Sequence, residues 1–161
     1  MTTLVLMRHG VAEDDHPDGD AARRLTPRGH ERAAQAARGL VALGLRPDVV
    51  LASPLARCAE TGRLVAHAAS CALHEDPRLA PGMTTAQLLD AVIEHPGAGV
   101  IVACSHQPGL TYALADLTGC GHIAFRRPGA AVVHLEVARP GGGALWAVLP
   151  PRVLRAADPQ A

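Results

Sequence analysis

Thr3-Leu4-Val5-Leu6-Met7-Arg8-His9-Gly10 is the stretch whose reading decides the fold of this chain. A short apolar run closes abruptly on an arginine, a histidine and a glycine. A run this short reads as a buried strand over residues 3–7. It places two chemically active side chains at the strand's carboxyl end.

Working outward, residues 11–24 are polar, cluster Asp, Gly and Pro, and read as a loop. Thr26-Pro27 reads as an N-cap followed by proline in the first helical turn. Ala33, Ala36, Ala37, Leu40, Val41 and Leu43 then recur at helical spacing, and Gly44 stops that helix. Residues 48–52 read as a second strand. Ser53-Pro54 repeats the cap-and-proline signal before a helix that runs to about His67. Residues 72–75 form a short strand and 77–83 a loop. Thr84 caps a helix to about Glu94, with Leu88, Leu89, Val92 and Ile93 as its apolar positions. Residues 99–104 are the clearest buried strand, and a helix from 107 to about 118 follows. Residues 131–137 and 144–149, parted by Gly141-Gly142-Gly143, read as a closing hairpin. Val133, Leu135 and Val137 share one face of it. Residues 157–161 read as a flexible tail, which leaves one domain over residues 1–156. Strands alternating with helices predict an α/β fold: a single three-layer domain, its sheet mostly parallel and flanked by helices on both faces.

Ligands of such sheets bind beyond the carboxyl ends of the parallel strands. Three of the predicted strands end in Arg8-His9-Gly10, in Ser53-Pro54-Leu55-Ala56-Arg57 and in Ser105-His106-Gln107. Two arginines and two histidines therefore converge on one edge. A guanidinium fork holds two phosphate oxygens at once. Like charge around His9 lowers its pKa, and a neutral imidazole is a competent nucleophile near neutral pH. His9, Arg8, Arg57 and His106 are thus the candidate catalytic set. His9 attacks phosphorus, and Arg8, Arg57 and a protonated His106 hold the equatorial oxygens. Arg8, Gly10, Arg57, His106 and Gln107 are the candidate substrate-binding residues. In that set Gly10 admits close backbone approach, and Gln107 offers a backbone N–H.

Composition removes other classes. The chain has 161 residues, 48% of them hydrophobic and 19% charged, which suits one soluble core. Its 15 basic residues are all arginine and balance 15 acidic ones, so no overall field favours nucleic acid or an anionic membrane. Tyr112, Phe125 and Trp146 are the only aromatics, which argues against base stacking. The N-terminus lacks a signal-peptide pattern, and the expected location is cytoplasmic. Cys58, Cys71, Cys104 and Cys120 read as reduced and mostly buried. Their spacing with histidine completes no common zinc pattern, so no metal or cofactor is expected. The acidic stretch Glu13-Asp14-Asp15, with Asp18 and Asp20, reads as a solvated loop, with divalent-ion binding as the alternative that its spacing disfavours. Arg126-Arg127 reads as a solvated pair, with contact to a protein substrate as the alternative.

Leu6-Met7-Arg8-His9-Gly10 resembles the signature of the histidine phosphatase superfamily, the phosphoglycerate mutase-like fold. Leu25-Thr26-Pro27-Arg28-Gly29 is similar to the segment before that family's first helix. Ser53 to Thr61 resembles its second motif, S-P-x-x-R-x-x-x-T, and Ser105-His106 its second histidine. Small size and the Leu79-Ala80-Pro81-Gly82 loop look most like the SixA branch of phosphohistidine phosphatases. The resemblance implies a phosphatase working through a phosphohistidine on His9. One departure is informative: the family's proton-donating carboxylate is absent from residues 79–83, and only Glu75 and Asp76 lie upstream. A missing acid disfavours alkoxide leaving groups and suits phosphohistidine. A phosphorylated protein is therefore the expected partner of what reads as a monomer. A small-metabolite phosphatase and a non-catalytic phosphate-binding module remain as rivals.

Overall fold

The computed structural model describes residues 1–161. In chain order its elements are β1 (Thr2–Arg8), α1 (Pro27–Ala42), β2 (Val49–Ala52), α2 (Ala56–Ala69), β3 (Ala72–Glu75), α3 (Thr85–Ile93), β4 (Val100–Ser105), α4 (Gly109–Thr118), β5 (Ala130–Leu135), β6 (Gly143–Leu149) and α5 (Pro151–Ala157). The strands form one sheet in the order β3-β2-β4-β1-β5-β6. β1, β2, β3 and β4 run parallel, and the β5–β6 hairpin adds an antiparallel edge next to β1. The predicted three-layer α/β architecture is the observed one. No helix is long and apolar enough to cross a membrane.

The two-residue period of the strands explains the layers. Leu4, Leu6, Ile101 and Ala103 face α3 and α4, where Leu88, Leu110 and Leu114 complete one core. Val5, Met7, Val102 and Cys104 face the other way, toward Ala37 and Leu40 of α1, Val65 of α2 and Leu154 of α5. An apolar run without alternation is what a strand covered on both faces requires.

Local signals hold where the chain has no competing partner. The Thr26 hydroxyl accepts from the Gly29 N–H at 2.9 Å, with Pro27 in the first turn. Thr84 and Gln87 form a reciprocal capping box on α3. Elsewhere tertiary contacts move the boundaries. Ser53 is not a helix cap: its N–H donates to the Cys104 carbonyl at 3.0 Å, so the chain stays extended and α2 begins at Ala56. α4 begins at Gly109, because Gln107 precedes a proline and is disfavoured in the α conformation. Ile93 is 56% exposed and Val137 54%, so neither joins the core. Val137 lies past the end of β5, in the hairpin turn. Cys58 and Cys104 are buried, but Cys71 and Cys120 are only partly so. Helix α5 has no counterpart in the sequence reading. Just beyond it Asp158, within the stretch read as a flexible tail, is buried and accepts from Arg38 Nε at 2.9 Å and Nη2 at 2.7 Å.

Helix α5 is seated by a glycine. A Cβ on Gly39 of α1 would collide with the backbone carbonyl of Leu154. Overpacking of this kind costs about 1–3 kcal/mol. The better helix propensity of alanine returns up to about 1 kcal/mol. Gly39→Ala should therefore lower the midpoint of urea unfolding; a midpoint equal to that of the unchanged protein would mean that α5 is not packed at this point.

Candidate active site

The register of β1 on β4 builds the site. Arg8 stands opposite Ser105, and the His9 N–H donates to the Ser105 carbonyl at 3.4 Å. The residues that follow this pair are His9 and His106. Their ring centroids lie 5.2 Å apart at 57°. Arg57 arrives from the adjoining connection, as the second residue of α2, and is 6% exposed. Thr61 holds this helix to the β1 turn: its hydroxyl donates to the Arg57 carbonyl at 2.7 Å and accepts from the Gly10 N–H at 3.0 Å. The structure thus brings Arg8, His9, Arg57 and His106 to one end of the sheet.

The two imidazoles are wired differently. His9 Nδ1 is 2.7 Å from the Gly10 carbonyl, which can only accept. Nδ1 therefore carries the proton, and the lone pair of neutral His9 sits on Nε2. His106 uses its other nitrogen internally: Nε2 lies 2.9 Å from Ser53 Oγ and 3.4 Å from Cys58 Sγ. Its Nδ1 makes no protein hydrogen bond. Burial pushes the Cys58 thiol up, so it keeps its proton and donates to the Ser105 carbonyl at 3.6 Å.

Burial, more than neighbouring charge, sets the protonation of both rings. Desolvation lowers His9 to about 3; the hydrogen bond to the Gly10 carbonyl opposes the fall, and His106, Arg57 and Arg127 add smaller decreases. His106 falls to about 4, again chiefly by desolvation and then by Arg57, while Asp20 opposes the fall. The expected neutral His9 is present, though solvent exclusion outweighs the arginine charge as its cause. His106 is neutral in the free protein near neutral pH, so the protonated ring expected for holding an anion requires that anion's own charge to draw a proton onto it.

Gly10 is held by the scaffold. Its N–H goes to Thr61 and its carbonyl to His9, while a Cβ would press on Leu25 and the Gly29 carbonyl. Gln107 accepts from the Thr111 hydroxyl at 2.6 Å, leaving its Nε2 buried without a partner. Arg8 donates Nη1 to the Phe125 carbonyl at 3.2 Å, and its Nε is likewise buried and unpaired. Unsatisfied buried donors are rare, and two occur here on residues at the ends of adjacent strands.

Asp20 is the site residue that sequence reasoning missed. Its carbonyl accepts from Arg57 Nη1 at 2.8 Å and its carboxylate from Nη2 at 3.1 Å. Arg23, then Arg57, hold that carboxyl below the ordinary carboxylate range. The loop carrying it is pinned by Glu60, which accepts from the Leu25 N–H at 2.8 Å and Arg24 Nε at 2.6 Å. Nothing in an acidic loop announces that one of its carboxylates folds back onto an arginine thirty-seven positions away. The upstream acids are engaged elsewhere. Asp76 is held by Arg78, which also pairs with Glu94, and this keeps the Asp76 carboxyl low and ionised. Glu75 pairs with Arg63 at 3.6 Å, and Glu13 accepts from the Arg24 N–H at 2.9 Å.

Known proteins place this geometry. The model of the histidine phosphatase superfamily (branch 1) matches residues 4–81, which include Arg8, His9 and Arg57. The solved structure of the protein histidine phosphatase SixA complexed with tungstate superposes with a TM-score of 0.85 at 24% identity, covering 95% of this chain and 99% of that one. The α-ribazole phosphatase of Shigella flexneri gives 0.74 at 19% identity, covering 93% and 97%. A mutant phosphoserine phosphatase of Entamoeba histolytica with bound phosphoserine gives 0.70 at 18%, covering 96% and 100%. None of the curated proteins matches the chain in sequence. The resemblance read from the motifs stands, and the fold is that of these structures.

The histidines tie stability to pH. The ordinary imidazole value is 6.5, and here the two rings titrate near 3 and 4. Between those limits the unfolded chain binds protons that the folded chain refuses. Stability is therefore full above pH about 6.5 and declines as the pH falls through this window. Urea midpoints at pH about 7.5 and about 5 should differ in that direction, and His106→Gln should narrow the gap. Equal midpoints in the unchanged protein would show that the rings protonate freely in the native state.

Proposed function

We propose that this chain, whose residues 4–81 match the histidine phosphatase superfamily, hydrolyses phosphoryl groups through a phosphohistidine on His9, with protein phosphohistidine as its substrate. The observation that carries this reading is the neutral His9 ring, its unprotonated Nε2 set beside His106 and among arginines. Two buried donors without partners, Arg8 Nε and Gln107 Nε2, suit a site that receives an oxyanion.

In the first step the His9 Nε2 lone pair attacks phosphorus in line, forming a P–N bond as the bond to the leaving group breaks. Arg8 and Arg57 neutralise the equatorial oxygens, the phosphoryl group replacing the Asp20 carboxylate at Arg57. His106 takes up a proton as the dianion enters and donates from Nδ1, its Nε2 remaining with Ser53. In the second step water attacks phosphorus, the P–N bond breaks, and inorganic phosphate leaves with neutral His9 restored. The steps use protein side chains alone. Leaving-group chemistry selects the substrate. Asp76 is ionised by Arg78 and has no proton to give, whereas an imidazole leaving group needs less protonation than an alkoxide. The SixA structure, solved with the oxyanion tungstate, supports the same class, while the phosphoserine and α-ribazole phosphatases keep small esters as the second reading.

The purified protein should dephosphorylate a histidine-phosphorylated protein with a kcat/KM well above that for phosphoserine or sugar phosphates. A quenched reaction should leave acid-labile phosphate on His9. His9→Ala should fall to background, and Arg57→Ala should lose on the order of 10²–10³-fold in kcat. Near-normal turnover by His9→Ala would sink the nucleophile; faster turnover of sugar phosphates would sink the substrate.

A further inference from the structure

Beside the histidines lies a second concentration of positive charge. A cleft of about 610 Å³ opens between α1, the 125–129 loop and α5, and five of its seven lining residues are arginines: Arg32, Arg126, Arg127, Arg152 and Arg155. The other two are prolines at the start of α5. No acidic residue lines it. None of the five pairs with a carboxylate, although Arg23, Arg24, Arg38, Arg57, Arg63 and Arg78 all do. A chain with 15 basic and 15 acidic residues has therefore segregated its charge rather than spread it. Arg126 is exposed and Arg127 half-buried, as a solvated pair would be, but they share their cleft with three further guanidiniums.

The cleft is built on fixed contacts and adjoins the catalytic edge. Arg8 grips the loop at both ends: its N–H donates to the Gly129 carbonyl at 2.9 Å and its Nη1 to the Phe125 carbonyl at 3.2 Å. Burial is the main cause of the lowered pKa of Arg8 and of His9, and the charge of Arg127, between those two points, adds to both. On the far side, Arg152 and Arg155 stand exposed around Leu154, whose side chain is fully buried against α1. A further hollow of about 270 Å³, shared through Arg32 and bordered by Arg28, continues the basic surface along α1.

We propose that this cleft seats an acidic segment of the protein substrate, Asp and Glu side chains engaging its guanidinium forks while the phosphorylated residue enters the neighbouring histidine site. The proposal rests on the phosphatase reading of that site. The volume falls within the roughly 300–1,000 Å³ that holds extended ligands, far more than a lone oxyanion needs. Guanidiniums spread over three elements match several separated carboxylates better than one compact anion. No aromatic side chain lines the walls, so nucleic-acid bases have nothing to stack on.

The test is the double variant Arg152→Glu/Arg155→Glu, at two exposed positions outside the histidine site, with its fold checked by circular dichroism and thermal melting. Binding of a labelled, unphosphorylated Asp/Glu-rich peptide, read by fluorescence anisotropy, should be salt-sensitive and weaken by about tenfold or more in the variant. Turnover of 4-nitrophenyl phosphate should not change, while kcat/KM for a phosphohistidine peptide with an acidic flank should fall and that for one with a basic flank should rise. Equal peptide affinity in the two proteins would overturn the proposal. So would tight binding of inorganic tripolyphosphate with none of the acidic peptide, which would make the cleft a polyphosphate site. Peptide binding that the variant loses, in a protein that turns over no phosphorylated compound, would support the cleft and remove only the phosphatase reading.

Discussion

The pairing of Arg8 with Ser105, where two parallel strands end side by side, is the constraint from which the site follows. Parallel strands put their next residues at the same edge, so His9 and His106 need no further device to become neighbours. Everything else orients them. Ser53 comes level by pairing its backbone with β4, and then occupies His106 Nε2. Thr61 links α2 to Gly10, and the Gly10 carbonyl sets the tautomer of His9. The motif residues that look idle in a mechanism, the serine and the threonine, are the ones that hold the rings in place.

Burial does more to the chemistry than charge does. Both histidines are about 5% exposed, and exclusion of water alone makes the imidazolium form costly. A free protein with two neutral rings and two arginines carries less positive charge at its site than the residue list suggests. Part of that charge is also met by Asp20, a carboxylate of the chain itself. On the proposed function, a phosphoryl dianion enters by exchange for a weaker anion and by proton uptake at His106, which ties affinity to pH through the entering ligand.

Charge neutrality over a whole sequence hides how charge is placed. Six arginines are spent on ion pairs that stitch loops and helices, as Arg38 does with Asp158 and Arg78 with Asp76 and Glu94. Arg32 of α1, Arg126 and Arg127 of the 125–129 loop, and Arg152 and Arg155 of α5 face one cleft without acids. Composition alone argues against an overall field; the structure shows a local one, adjacent to the histidines.

The sequence alone determined the layered α/β fold, since unbroken apolar strands and capped amphipathic helices depend on local spacing and on burial that every residue carries with it. It also placed Arg8, His9 and His106 at strand ends and Arg57 on the connection leaving β2, because a parallel sheet sends all of these to the same edge. Only the tertiary structure decided what those residues meet. That Ser53 binds a histidine rather than capping a helix depends on Cys104, and that Gly10 packs on Gly29 depends on how α1 crosses the turn. Asp20 on Arg57, the protonation of His106 and the gathering of arginines around α5 all arise from contacts between residues far apart in the chain. Local propensity is silent on such contacts, because each side chain's partner and its share of water are set only when the layers close.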